Sequence, residues 1–144
     1  MKKLLIIPML LCLLILASCD SSPKKTIPTS NTYYENIIGT PKQIENLEVA
    51  QHDFPNKMNW YNAKAECAKL GKGWRLPTKD ELDVMYKNKD RVGGFDRVDG
   101  FAYNVYWSST EYDNISAWLQ NFNAGFQTYG FKNYAYSVRA VRAF

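Results

Sequence analysis

Gly73-Trp74-Arg75-Leu76-Pro77-Thr78-Lys79-Asp80-Glu81-Leu82 is the stretch on which the fold turns. Thr78 followed three residues later by Glu81 is a capping box, and Asp80 and Glu81 suit the positive N-terminal end of a helix dipole. A helix is therefore expected to begin here, with Leu82, Met85 and Tyr86 on its buried face. Pro77 disfavours helix in the residue before it, so Trp74 to Pro77 reads as a short extended piece. Upstream, Trp60, Ala63, Cys67 and Leu70 recur at spacings of three, four and three. That is one face of a helix over Lys57 to Leu70, stopped by Gly71 and Gly73. Downstream, Gly93, Gly94 and Gly100 mark loops. Short aromatic stretches predict strands near Tyr106 to Ser109, Ala117 to Phe122, Gly125 to Phe131 and Ser137 to Ala143. Arg139-Ala140-Val141-Arg142-Ala143 alternates basic with small or apolar residues, the pattern of a strand with one wet face. Two helices followed by antiparallel strands make an α+β plan.

The chain has 144 residues, room for one core, and 46% of them are hydrophobic, enough to fold it. Its formal charge of +4 is mostly N-terminal, since Lys2, Lys3, Lys24 and Lys25 against Asp20 supply three units. From Tyr33 onward 14 basic residues face 13 acidic ones. Nucleic-acid binding needs clustered Lys and Arg and is excluded on that ground. A single His argues against most metal and triad chemistry, and no cofactor or metal is expected.

Lys2 and Lys3 precede an apolar run from Leu4 to Ala17, the plan of a secretory signal and short for a bilayer span. Leu16-Ala17-Ser18-Cys19 resembles the bacterial lipobox, in which the Cys thiol is acylated and becomes the first mature residue. Plain Ala-x-Ala-type cleavage is the alternative. The expected organisation is a signal peptide over 1–18, a lipidated Cys19 with a flexible polar tether over 19–32, and a folded domain over 33–144. Lipid chains at Cys19 would anchor the protein to the bacterial cell envelope. The outer membrane or cell surface is favoured; Asp20 resembles an inner-membrane retention signal. Cys12 leaves with the signal and Cys19 takes the lipid, so Cys67 is the one thiol left in the domain and no disulfide staples it.

Trp60 with Ala63 and Cys67, Gly73-Trp74-Arg75-Leu76-Pro77-Thr78, Glu81-Leu82, Gly93-Gly94-Phe95, Tyr106-Trp107-Ser108-Ser109-Thr110-Glu111, Ala117-Trp118 and Ser137-Val138-Arg139-Ala140-Val141-Arg142 resemble the DUF1566 family. That family includes the C-terminal domain of the Legionella collagen-like adhesin and is related to the Fibrobacter major paralogous domain. The resemblance implies a C-type lectin-like fold, two helices packed on short antiparallel strands, close to that of formylglycine-generating enzymes. It also implies binding rather than catalysis. Calcium-dependent sugar binding in such folds resembles Glu-Pro-Asn or Gln-Pro-Asp followed by Trp-Asn-Asp. Neither occurs: Leu119 and Gln120 follow Trp118, and no proline lies beyond Pro77. Formylglycine-generating chemistry resembles a paired-cysteine copper site, and Cys67 stands alone. His52 reads as a surface residue. Asp80, Glu81 and Asp83 crowd a helix start that capping explains, so no catalytic residue is expected.

Phe101 to Phe144 holds 13 of the 21 aromatic residues but five of the 32 charged ones. A small sheet cannot bury both of its faces, so some of these rings must be exposed. The expected ligand-binding set is Tyr112, Asp113, Phe126, Thr128, Tyr129, Phe131, Asn133, Tyr134 and Tyr136, a mixture that resembles antibody paratopes. The same block looks like variable proteins of diversity-generating retroelements, where mutagenised adenines turn Asn codons into codons for Tyr, Ser, Ile, Phe, Asp, Ala and Gly. The expectation is a surface lipoprotein presenting this segment to a protein or glycan. The alternative is a structural envelope lipoprotein without a specific ligand.

Overall fold

The computed structural model describes residues 30–95 and 104–144. The expected signal segment, Cys19, the tether up to residue 29, Gly100 and Phe101 lie outside those residues. Helix α1 spans Ser30–Ile38, so Ser30 to Thr32, expected in the tether, are helical. Tyr33, Tyr34, Ile37 and Ile38 bring this helix onto the core. A hairpin follows, β1 (Lys42–Ile44) and β2 (Leu47–Val49), turning at Glu45 with φ of 50°. Helices α2 (Trp60–Lys69), α3 (Lys79–Lys87) and the short α4 (Lys89–Val92) come next. Strands β3 (Val105–Glu111), β4 (Ser116–Asn121), β5 (Gln127–Phe131) and β6 (Val141–Ala143) complete the order.

The strands form two antiparallel sheets, β1-β2-β6 and β3-β4-β5. Leu47 pairs with Ala143 and Val49 with Val141, so the start and end of the domain meet in one sheet. Single bridges join Tyr106 to Ser137 and Arg75 to Val141, the latter tying the extended Trp74–Pro77 piece to β6. On one side α2 packs Trp60, Ala63 and Cys67 against Trp74, Leu76, Trp107, Ala117, Leu119 and Val138. On the other, Leu82 and Met85 of α3 meet Ile44, Val49, Tyr106, Phe122 and Val141. Two of the three buried indoles of the first cluster find carbonyl partners, Trp60 Nε1 donating to Ser108 at 2.8 Å and Trp107 Nε1 to Met58 at 2.9 Å, while Trp74 Nε1 meets none among the described residues.

The capping box forms as its spacing predicts: Glu81 N–H donates to Thr78 Oγ1 at 3.2 Å and Thr78 N–H to Glu81 Oε2 at 2.8 Å. Arg75 grips the same carboxylate with two bonds, 2.7 and 2.8 Å. Burial pushes Glu81 up, but Arg75 and the Thr78 amide more than offset it and hold the carboxyl below its ordinary range. Burial, assisted by Glu66, pushes the Cys67 thiol up to about 12, so it is a packing residue rather than a thiolate.

The expected wet strand is corrected by the structure. Only Val141–Ala143 joins a ladder, and Arg139 is fully buried. Its Nε meets Asp53 Oδ1, and its other nitrogens meet the carbonyls of Ala50 and Gln51 at 3.0 Å and that of Gly94. Asp53 also accepts from Tyr106 Oη at 2.6 Å, and the guanidinium lies over Phe95. A buried charge is tolerated when its donors are all met, and here carbonyls and a carboxylate meet them.

Candidate functional site

The β3–β4 hairpin reverses through Asp113, whose Oδ1 accepts from Ile115 N–H at 2.9 Å and Ser116 N–H at 2.7 Å. These bonds, led by the one from Ile115, hold Asp113 below the usual carboxylate range. Lys132 locks the turn from beneath: its ammonium donates to Glu111 at 2.6 Å and to the Asp113 and Asn114 carbonyls at 3.0 Å. These oxygens thus already surround an internal cation, and among the described residues no cluster of three or more His, Cys, Asp or Glu side chains is placed to hold a metal.

Strand alternation then decides which rings face out. Trp118 of β4 lies opposite Tyr129 of β5. Tyr112 stacks parallel on Tyr129, with ring centroids 4.0 Å apart and planes 2° apart, and meets Trp118 edge-on at 5.3 Å. The Lys79 ammonium sits 3.3 Å from the Trp118 ring centre, and Gln127 donates to the Lys79 carbonyl at 2.8 Å. Two residues along the same face Phe131 meets Tyr134 edge-on. Phe131, Lys132, Asn133 and Tyr134 line a hollow of about 340 Å³ with Ile115 and Tyr61. Tyr112, Tyr129, Phe131 and Tyr134 each leave about half of their surface exposed, and Ile115 and Tyr61 more than that.

Of the expected residues the structure therefore brings together Tyr112, Asp113, Tyr129, Phe131, Asn133 and Tyr134. Thr128 points to the opposite face of β5, with Gly130 and Leu119. Phe126 is exposed but stands apart, in the turn between β4 and β5. Tyr136 is half-buried, edge-on against Trp107 at 4.9 Å. Gly130 makes room for it: a Cβ there would lie 2.9 Å from the Tyr136 ring and 2.8 Å from Leu119. Sequence reasoning missed Tyr61, Ile115, Trp118 and Lys79. Tyr61 carried a usable signal, as an aromatic lying off the Trp60–Ala63–Cys67 stripe. A larger cavity, about 680 Å³, is lined by Gly93, Gly94, Phe95, Asn104 and Phe122 and shares no lining residue with the aromatic face, which is the candidate site.

A family model described as the Lcl C-terminal domain matches residues 39–142. Among solved structures, botrocetin is similar with a TM-score of 0.51 at 11% identity, over 72% of this chain and 96% of that one. EMS16, titled an antagonist of the collagen receptor integrin α2β1, is similar with a TM-score of 0.51 at 12% identity, over 72% of this chain and 97% of that one. At such identities the likeness speaks to fold alone, and the fold is C-type lectin-like, an α+β arrangement with short antiparallel strands. No curated protein gives a significant sequence match.

Proposed function

This chain belongs to the Lcl C-terminal domain family, and from that premise we propose that it is a binding domain, not an enzyme, which recognises a protein or glycan partner through the outer face of β3, β4 and β5. One observation carries the reading: a parallel Tyr112–Tyr129 stack left half exposed, on the face of β5 that Tyr129 shares with Phe131, which in turn lines a hollow with Tyr134, Ile115 and Tyr61. Contiguous exposed apolar surface marks interaction sites in soluble domains. Rings already held by stacking lose little entropy on binding, and Asn133 offers amide hydrogen bonds at the rim.

In the same proposal Cys19 carries the lipid, the residues after it tether the domain to the cell envelope, and the outer membrane or surface is where it is displayed. The side chains of this face, Tyr112, Ile115, Tyr129, Phe131 and Tyr134, fit the palette that adenine mutagenesis of Asn codons produces. A template repeat and a reverse transcriptase in the neighbouring DNA would support diversification, and differences away from template adenines would remove it. Cys19→Ala should take the protein out of the membrane fraction.

The binding test uses labelled full-length protein on bacterial cells and on extracted glycans, beside Tyr112→Ser/Tyr129→Ser. Losing one central Tyr anchor commonly costs 2 kcal/mol or more, so affinity should fall at least roughly thirtyfold. Unchanged affinity would move the site off this face. Absence of saturable binding by the unaltered protein would favour a structural envelope lipoprotein.

A further inference from the structure

The edge of the sheet that carries the aromatic face is open. Lys132 N–H donates to the Ile115 carbonyl at 2.8 Å, and Asn121 N–H to the Phe126 carbonyl at 3.0 Å. Hydrogen-bonded positions recur at every second residue of an antiparallel pair. With Ala117 opposite Gly130 and Leu119 opposite Thr128, it is Gly130 and Thr128 whose backbones turn toward β4. Gln127, Tyr129 and Phe131 turn theirs away. Among the described residues no backbone group meets the N–H or carbonyl of Tyr129 or the N–H of Phe131, while the Phe131 carbonyl accepts from Tyr134 at 2.9 Å.

Proteins normally guard such an edge with charge, proline, a bulge or shortness. The other edges here are guarded. β1 has three residues and opens on Lys42. β6 has three, with Arg75 bridged to Val141, and Ser137 bridges the outer side of β3 at Tyr106. Gln127-Thr128-Tyr129-Gly130-Phe131 has no charge and no proline, and its register with β4 is unbroken.

We propose that β5 pairs antiparallel with β5 of a second copy of this chain, about a two-fold axis through Tyr129. The central rung is Tyr129 N–H donating to the carbonyl of Tyr129 of the partner subunit, and the reverse. On either side Phe131 N–H donates to the carbonyl of Gln127 of the partner subunit. Three outward residues centred on one position let the edge pair with itself about a two-fold axis, as an isologous dimer requires, and because β5 carries no charge a second copy sets no like charges opposite one another. Two three-stranded sheets become one of six strands. Residues directly opposite in an antiparallel pair share a face, so the two Tyr112–Trp118–Tyr129 clusters lie side by side as one double-width surface. The pairing stands on the backbone, and only this last consequence rests on the proposed recognition face.

The test is sedimentation equilibrium of the full chain in density-matched detergent micelles, comparing the unaltered protein with Tyr129→Ser and Tyr129→Pro. Serine removes the ring and keeps the N–H; proline removes an N–H that the β4 ladder does not use. The unaltered chain and Tyr129→Ser should dimerise, and Tyr129→Pro should do so at least about tenfold more weakly. A monomeric unaltered chain, or a proline variant as dimeric as the serine one, overturns the pairing. Amide exchange on the unaltered chain gives a reading that needs no variant to fold. The Tyr129 and Phe131 amides should slow as concentration rises while those of Thr128 and Gly130 stay constant, and concentration-independent exchange at Tyr129 overturns the proposal. A Tyr129→Ser chain that dimerises supports the pairing whether or not it still binds cells or glycans, so the two readings fail separately.

Discussion

Arg139 has no exposed surface, whereas Tyr129, ten residues earlier in the chain, leaves 51% of its surface exposed. The two sit in regions that invert the usual sorting of residue types. Around Arg139 a charge lies inside, held by Asp53, the Ala50, Gln51 and Gly94 carbonyls and the face of Phe95. On the outside of β3-β4-β5, aromatic rings stack on one another rather than on the core. The inner polar node joins the segment after β2, the loop after α4 and the strand run before β6, the first and last of which also exchange backbone bonds, from Ala50 N–H to the Ala140 carbonyl and from Phe54 N–H to the Val138 carbonyl, both at 3.0 Å. The outer face adds little to such joining. Under the proposed function, holding the fold and meeting a partner fall to different residues, and the second set can then vary without loss of the first.

The largest effect should come from the node. Arg139→Ala removes the cation facing a buried carboxylate, which costs about 3–5 kcal/mol in comparable buried pairs, much of a small domain's stability. Urea unfolding that shows less than about 1 kcal/mol would mean that water or rearrangement replaces the guanidinium. Trp107→Ala should be close behind, at about 3 kcal/mol or more, because the ring is fully buried and its Nε1 serves the Met58 carbonyl. A melting temperature within a few degrees of the unaltered protein would contradict that burial.

A smaller, pH-dependent effect belongs to Glu81. Its carboxyl is held below the ordinary value in the folded state, so its contribution is present above the unfolded carboxylate pKa and is lost as pH falls through the folded one. Glu81→Gln keeps a capping amide but loses the charge. At neutral pH it should cost no more than about 1 kcal/mol, given the exposure of Arg75. Stability measured from pH 7 downward should fall less steeply in the variant, and parallel profiles would show that Glu81 does not drive the acid limb.

What the sequence revealed follows the range of each signal. The capping box at Thr78 and Glu81, the Trp60–Ala63–Cys67 stripe and the strands around Trp107, Trp118 and Tyr129 are local patterns, and they form where expected. The β1–β2 hairpin was illegible because its strands have three residues each and its turn places Glu45 at φ 50°, where glycine is the usual sign. The burial of Arg139 was illegible because its partner Asp53 lies 86 residues away; alternation alone made it a surface residue. The aromatic excess after residue 101 was plain, but its division was not. Tyr136 turned inward because Gly130 leaves space above the sheet, and Tyr61 joined the face from a helix.

The central claim, that the inner charge holds the fold while the outer rings do not, is tested most directly by one urea titration of two variants beside the unaltered protein. Tyr112→Ser/Tyr129→Ser/Tyr134→Ser should lose no more than about 3 kcal/mol, since exposed substitutions stay within about 0.5 kcal/mol each and a stacked aromatic pair adds about 0.5–1.5. Arg139→Ala should lose about 3–5 kcal/mol in the same experiment. The reverse order, with the triple variant the less stable of the two, would place these tyrosines in the folding core and contradict the account.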